Sequence, residues 1–310
     1  MTQAAPNHDI VVEPATEADS ADALRLLFGR PAGSNIDDIL PESGINNADA
    51  PDSLAVPGLF CATNVKAPHK IVGVIWARHA MPGIHSIWQP VSRPQSPVVE
   101  HELYQTLAAF LDRTPCRLAR ALTEPGSPFE TRLSKIGFRR QTDIVSRLWH
   151  PAAVPDGWLT EDYSVSELQP GGDEEFIGIM ERSYQQSLDC PDLVKLLTAK
   201  DLLEFYRANT FATKSSFFLL FAKSVPAGCL VLTEDLDNES LELTYMGVEP
   251  AQRGKGLGKL LVNFAKEKAC EMKYRRLVVA VDCSNKPAWD IYEQAGFVTY
   301  SSQSLMIRTA

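Results

Sequence analysis

Apolar and polar positions along this chain fall into two alternating patterns, period two and period 3.6, and their order recurs. In the second half, residues 163–168 alternate like a half-buried strand. Residues 173–184 and 193–208 carry apolar positions at helical spacing. Residues 217–222 and 227–234 predict a hairpin through Lys223-Ser224-Val225-Pro226. A strand over 241–248 and a helix from near Leu257 follow. Residues 276–282 form a nearly continuous apolar run, as in a central strand covered on both faces. Ala288, Ile291, Tyr292 and Ala295 then share one face of a last helix. Asn285 suits its cap, Pro287 its first turn and Gly296 its end.

The first half shows the same order. Strands are expected at 10–13, 59–65, 71–79, 84–89, 117–121 and 144–149, with helices at 20–28, 101–111 and 129–136. Each half closes with Gly-Phe and a terminal strand, and Pro90 precedes Gly137 by about as far as Pro250 precedes Gly296. The proline-bearing stretch 150–157 reads as a linker, so two domains are expected, 1–152 and 153–310. The fold class is α+β, an α/β mixed sheet in each half. Residues 29–57, rich in Pro, Gly, Asn and Asp, read as a long loop.

Composition narrows the class. At 310 residues, with 45% hydrophobic and 22% charged positions, the chain is ordinary for a soluble protein. It shows no apolar run long enough to span a membrane and no secretory leader. Its six cysteines form no Cys-x-x-Cys pair, which argues against a metal and for a cytoplasmic setting. From residue 156 onward 16 basic residues face 23 acidic ones, yet residues 253–276 hold eight basic and two acidic. A local basic island in an acidic domain suits a small anionic ligand rather than a nucleic-acid track.

That island opens with Arg253-Gly254-Lys255-Gly256-Leu257-Gly258-Lys259, between the strand at 241–248 and its helix. Three glycines let the backbone turn tightly, and the free N–H groups of the helix point back at the turn. Strand, glycine turn and helix describe a pyrophosphate cradle. A dinucleotide fingerprint fails, because the sixth position from Gly254 is Lys259. A P-loop fails too, since three residues separate Gly254 from Gly258 and Leu260 follows Lys259.

The pattern that fits is R-x-x-G-x-G at Arg253, Gly256 and Gly258, which resembles the acyl-CoA loop of the GNAT N-acetyltransferases. The segment from Asn285 to Phe297 resembles that superfamily's second signature, N-x-x-A-x-x-x-Y-x-x-x-GF, with every position filled. The resemblance covers residues 163–307. It implies tandem GNAT domains, acetyl-CoA as co-substrate without a metal, and transfer of its acetyl group to a primary amine of a small molecule or peptide. The alternative is a non-catalytic acyl-CoA-binding module. The acceptor and the oligomeric state are not legible.

The resemblance also assigns roles. The backbone of Met246, Gly247 and Val248 would pair with the pantetheine arm, with the Val248 N–H as oxyanion donor. Residues 253–259, namely Arg253, Gly254, Lys255, Gly256, Leu257, Gly258 and Lys259, would hold the pyrophosphate. Asn285 would bind pantetheine or act only as a helix cap. Tyr292 would protonate the leaving thiolate or serve as a core tyrosine. An alkylamine of pKa ~10.4 is neutral only to about 1 part in 10³–10⁴ at pH 7, so a base matters. Glu242, on the strand entering the loop, is the candidate; a solvated strand-start glutamate is the other reading. Alternation would put Glu242, Thr244, Met246 and Val248 on one face. All six histidines lie at or before His150, so a histidine base would have to come from His79, His85 or His101. Cys283 has no nearby histidine to activate it and reads as a buried, inert thiol.

In the first half the equivalent of the glycine loop reads Arg93-Pro94-Gln95-Ser96-Pro97-Val98-Val99. It has no glycine, and its prolines remove two N–H donors. Leu133 stands opposite Tyr292 and Gly126 opposite Asn285, so this half is expected to be non-catalytic.

Overall fold

The computed structural model describes residues 9–35, 56–151, 159–193, 195–207, 213–236 and 238–309. Most of the long loop expected at 29–57 and of the linker at 150–157 lies outside them. The chain divides into two units, residues 1–141 with 304–310, and residues 142–303.

In the first unit β1 (Ile10–Pro14), α1 (Glu17–Leu27), β2 (Leu59–Asn64), β3 (Ala67–Met81) and β4 (Ile84–Ser92) precede α2 (Pro97–Arg113), β5 (Leu118–Thr123) and α3 (Pro128–Lys135). Strands β1 to β4 pair antiparallel in sequence. β4 and β5 run parallel over Ile84–Ser86 and Leu118–Arg120. Ser304–Thr309, from the end of the chain, completes this sheet antiparallel to β5. Leu305, Met306 and Ile307 are buried there.

The second unit repeats the plan. β7 (Tyr163–Glu167), α4 (Asp173–Tyr184), α5 (Ala199–Arg207), β8 (Thr213–Ala222), β9 (Val225–Asp235), β10 (Ser240–Val248), α6 (Leu257–Glu271), β11 (Arg276–Asp282) and α7 (Lys286–Gln294) follow in order. β7 to β10 pair antiparallel, and β10 and β11 parallel. Ile144–Trp149 of β6 (Arg139–Trp149) closes the sheet against β11. Leu230, Leu232, Leu241 and Leu243 pack under Leu257, Leu261 and Phe264 of α6. Cys229 and Val231 face Phe176, Ile179 and Met180 of α4 on the other side.

These units differ from a division at 152/153. Residues 142–149 belong with the second unit and 304–310 with the first. Hydrogen-bonded register decides this: each tail strand pairs with the central strand of the other repeat. Two smaller differences are local. The helix expected from 193 begins at Ala199, because Thr198 and Asp201 form a reciprocal cap, Asp201 N–H to Thr198 Oγ1 at 3.0 Å and Thr198 N–H to Asp201 Oδ2 at 3.2 Å. The β8–β9 turn is two residues, Lys223 and Ser224, both at positive φ (51° and 69°), as a type I′ hairpin requires. Among the described residues no helix is long and apolar enough to cross a membrane.

Met306→Ala should cost about 2–5 kcal/mol by chemical denaturation, because it empties a site that is 1% exposed in the first unit's core.

Candidate active site

The site begins where a sheet ladder stops. Parallel pairing between β10 and β11 ends at Leu243–Val279. At the same point β10 bulges: Leu243 pairs with Leu232 and Tyr245 with Val231, leaving Thr244 as an extra residue. Beyond the bulge the two strands part, and a cavity of about 680 Å³ fills the gap. Its walls include residues 243–248 of β10 and Val279, Ala280 and Val281 of β11.

The bulge also resets which side chains face which way. Met246 and Val248 pack with the α6-side core, whereas Tyr245 packs with the α4-side core. Thr244 Oγ1 donates to Thr233 Oγ1 at 2.7 Å, and Thr233 is the partner of Glu242. Glu242 and Thr244 therefore share a face, but Met246 and Val248 do not share it with them. Glu242 sits half-buried in the intact ladder between Thr233 and Val278 and does not line the cavity. Burial, then the Asp235 charge, holds its pKa above the ordinary value. The expectation that Glu242, Thr244, Met246 and Val248 share one face is thus corrected: the inserted Thr244 breaks the alternation.

At the cavity mouth stands the glycine turn. Gly254 and Gly256 adopt φ of 76° and 82°, with open space where a Cβ would project. Gly256 is the N-cap of α6, and no side chain caps that helix. Its first N–H groups and the positive end of its dipole are left to a ligand. A Cβ on Gly258 would stand 2.8 Å from Ile291 Cδ1, so this glycine lets α6 and α7 approach. Leu257, Gly258 and Lys259 line the cavity.

The other two cations of the turn are otherwise engaged. Arg253 lines the cavity, yet its guanidinium donates to the carbonyls of Ser183 (2.7 Å), Val248 (3.2 Å) and Gln186 (3.4 Å). It clasps the end of α4 to β10. Lys255 does not line the cavity, and its ammonium donates to Gln252 Oε1 at 2.8 Å.

In the first unit the same helix start is closed. Ser96 accepts from the Val99 N–H at 3.4 Å, and Pro97 has no N–H to offer. A cavity of about 360 Å³ in that unit lies between α2 and α3 and includes His101. On β4, outside that cavity, His85 is buried beside His79 and Phe110, and burial, then His79, lowers its pKa.

Tyr292, on α7, lines the second unit's cavity and is 4% exposed. Burial, then the charge of Asp189, raises its pKa, so it holds its proton at neutral pH. Asn285 lines the cavity and also caps α7 by accepting from the Ala288 N–H at 3.4 Å. Cys283 is exposed rather than buried, because β11 has ended before it.

Three cavity residues carried no recognisable motif: Ser183, Tyr245 and Asp189. Ser183 Oγ donates to the Met180 carbonyl at 2.6 Å, so Tyr245 donates to Ser183 Oγ, also at 2.6 Å. Asp189 follows α4. Although the residue is exposed, the protein packed around its carboxyl pushes its pKa up, the Asp282 backbone and Asn285 side chain pull it back, and the Asp282 charge adds to the rise. Asp282 is buried and accepts from Thr142 Oγ1 (2.6 Å), Ser284 N–H (2.9 Å), Ser284 Oγ (2.7 Å) and Cys190 N–H (3.0 Å). Burial alone would raise its pKa; these bonds bring it below the ordinary value.

Residues 182–297 match the Acetyltransferase (GNAT) family. Mycothiol acetyltransferase of Streptomyces scabiei (strain 87.22) is 30% identical over 113 residues, 36% of this chain and 36% of that protein. N-alpha-acetyltransferase 30 of Homo sapiens is 29% identical over 153 residues, 45% of this chain and 41% of that protein. The chain thus spans well under half the length of these relatives. A tandem GNAT protein from the clavulanic acid biosynthesis pathway has the same fold over 97% of this chain and 98% of its own, at 15% identity and a TM-score of 0.61. Residues 182–297 thus carry a GNAT acetyltransferase domain, and the fold over nearly the whole chain is that of a tandem GNAT protein.

Gly247 shows how tightly the site is built: a Cβ there would meet Ser183 Oγ, 2.8 Å from Ser183 Cβ and 3.0 Å from the Tyr245 hydroxyl. Gly247→Ala should cost about 1–3 kcal/mol in a denaturant titration. Adding Ser183→Gly should return part of that loss, whereas two independent sites would give additive losses.

Proposed function

We propose that this protein transfers an acetyl group from acetyl-CoA to a primary amine of a small molecule or peptide, using the cavity of the second unit. The observation that carries the reading is the uncapped start of α6, with its open glycine turn, at the mouth of the gap between β10 and β11. The N–H groups of Leu257, Gly258 and Lys259, with the Lys259 ammonium, suit a pyrophosphate. The β10 edge at Met246, Gly247 and Val248 has lost its parallel partner and suits the amides of a pantetheine arm, as an added strand would. The Val248 N–H suits the oxyanion.

In the transfer the amine nitrogen bonds to the acetyl carbon, the C–S bond breaks, and the electron pair leaves on sulfur. Tyr292 supplies the hydrogen bond, and finally the proton, that the thiolate needs. A phenol is a weaker acid than a thiol, so the bond matters most while the C–S bond stretches. Tyr292 carries that proton in a nearly dry setting, where one hydrogen bond counts for more than in water.

Calorimetry on the full chain should find one acetyl-CoA per chain, and Gly256→Glu should abolish binding by setting a carboxylate against the pyrophosphate. Two sites per chain would overturn the claim that the first unit is empty. Binding without thiol release on any amine would favour a regulatory module.

Tyr292→Phe should lower kcat about 10- to 100-fold while changing acetyl-CoA affinity by less than about threefold. Glu242→Gln should leave the shape of the pH–rate profile unaltered. A profile reshaped at neutral pH would return Glu242 to the chemistry, acting through water.

A further inference from the structure

The proposed reaction leaves one role unfilled. An amine arrives as an ammonium ion and loses two protons on becoming an amide; one ends on the thiol and the other must reach solvent. Glu242 lies outside the cavity. So does His150, the one described histidine of the second unit, which meets the Arg275 carbonyl. Among the described residues Asp189 is the only carboxylate that lines the cavity.

We propose that Asp189 is the acceptor-amine anchor and proton exit, and that the acceptors are therefore cationic alkylamines. This rests on the acetyltransferase reading. Asp189 lines the cavity together with Asn285 and Tyr292. It thus stands on the wall that carries the two residues of the second signature. As a residue it is exposed, which gives the departing proton a path to water. Its neighbour Asp282 cannot serve, because four donors already occupy that carboxylate. Two clasps fix the segment that carries Asp189. The Cys190 N–H binds Asp282 at the end of β11, and Arg253 holds the carbonyls of Ser183 and Gln186.

Among the described residues the ionisable groups beside Asp189 include the Cys190 thiol, Asp282 from β11 and Tyr292 from α7. Elsewhere on the cavity wall stand Arg253, Lys259 and the phenols of Tyr184 and Tyr245. Arg253 is held by three carbonyls, and Lys259 sits at the uncapped helix start. An ammonium ion thus meets negative charge at Asp189. Asp189 takes the ammonium proton and releases it to solvent. Nitrogen attacks the thioester carbon, the thiolate departs with the proton from Tyr292, and the second proton of the nitrogen returns to the Tyr292 phenolate through water.

The test is thiol release from acetyl-CoA by the full-length wild type, Asp189→Asn and Asp189→Glu. The probes are butylamine and 1,4-diaminobutane, cationic at pH 7, and aniline, which is neutral there. Acetyl-CoA affinity is measured in parallel. The wild type should favour the alkylamines. Asp189→Asn should lower their kcat/KM about 100-fold or more at pH 7, less at pH 10, and lower that of aniline only a few-fold. Asp189→Glu should recover part of the loss, and all three proteins should bind acetyl-CoA within about threefold of one another. Equal loss on all three amines at every pH would make Asp189 structural and overturn this inference while leaving the acetyltransferase intact. A wild type that binds acetyl-CoA and acetylates none of the amines would overturn the acetyltransferase reading itself, and this inference with it.

Discussion

The second unit depends on a ladder that stops. β10 and β11 are held parallel only up to Leu243 and Val279, and the bulge at Thr244 bends β10 away. β11 cannot follow, because its other edge is already bound by β6 through Asp282. The sheet resolves this by opening rather than by shearing. The opening is what the remaining elements frame: α6 starts at its mouth, α7 closes one side, and the segment after α4 covers another. A sheet without the extra residue would keep its ladder further and leave less of a gap.

Electrostatics completes the frame, and not through net charge. The second half is acidic overall, and two of the cations of its glycine turn are held by carbonyl or amide oxygens. What remains at the mouth is an uncapped helix end and Lys259. The first unit serves as an internal control. Its topology is the same down to the short parallel pair, but Ser96 caps the equivalent helix and Pro97 removes a donor. One fold therefore carries an open helix end in one copy and a closed one in the other, and the difference lies in a few residues at one turn.

The sequence by itself determined much of this. Periodicity places nearly every strand and helix, because half-buried strands and amphipathic helices must segregate their apolar side chains. Gly254 and Gly256 are legible as a tight turn because only glycine adopts their backbone angles freely. The loss of that turn from the first half is equally legible, and so is Tyr292, whose surrounding spacing is that of a family signature.

Tertiary structure alone decided the rest. A period-two pattern cannot announce a single inserted residue, so Thr244 silently moved Glu242 away from Met246 and Val248. The duties of Arg253 and Lys255 depend on carbonyls and amides that folding brings near, and a basic residue looks the same in sequence whether it is bound or free. The tail strands pair across the repeat because hydrogen-bond register, not order along the chain, assigns a strand to a sheet. Asp189 lies in a stretch with neither periodicity nor motif. Its place on the cavity wall is set by Asp282, more than 90 residues further along, which only the folded chain brings within reach.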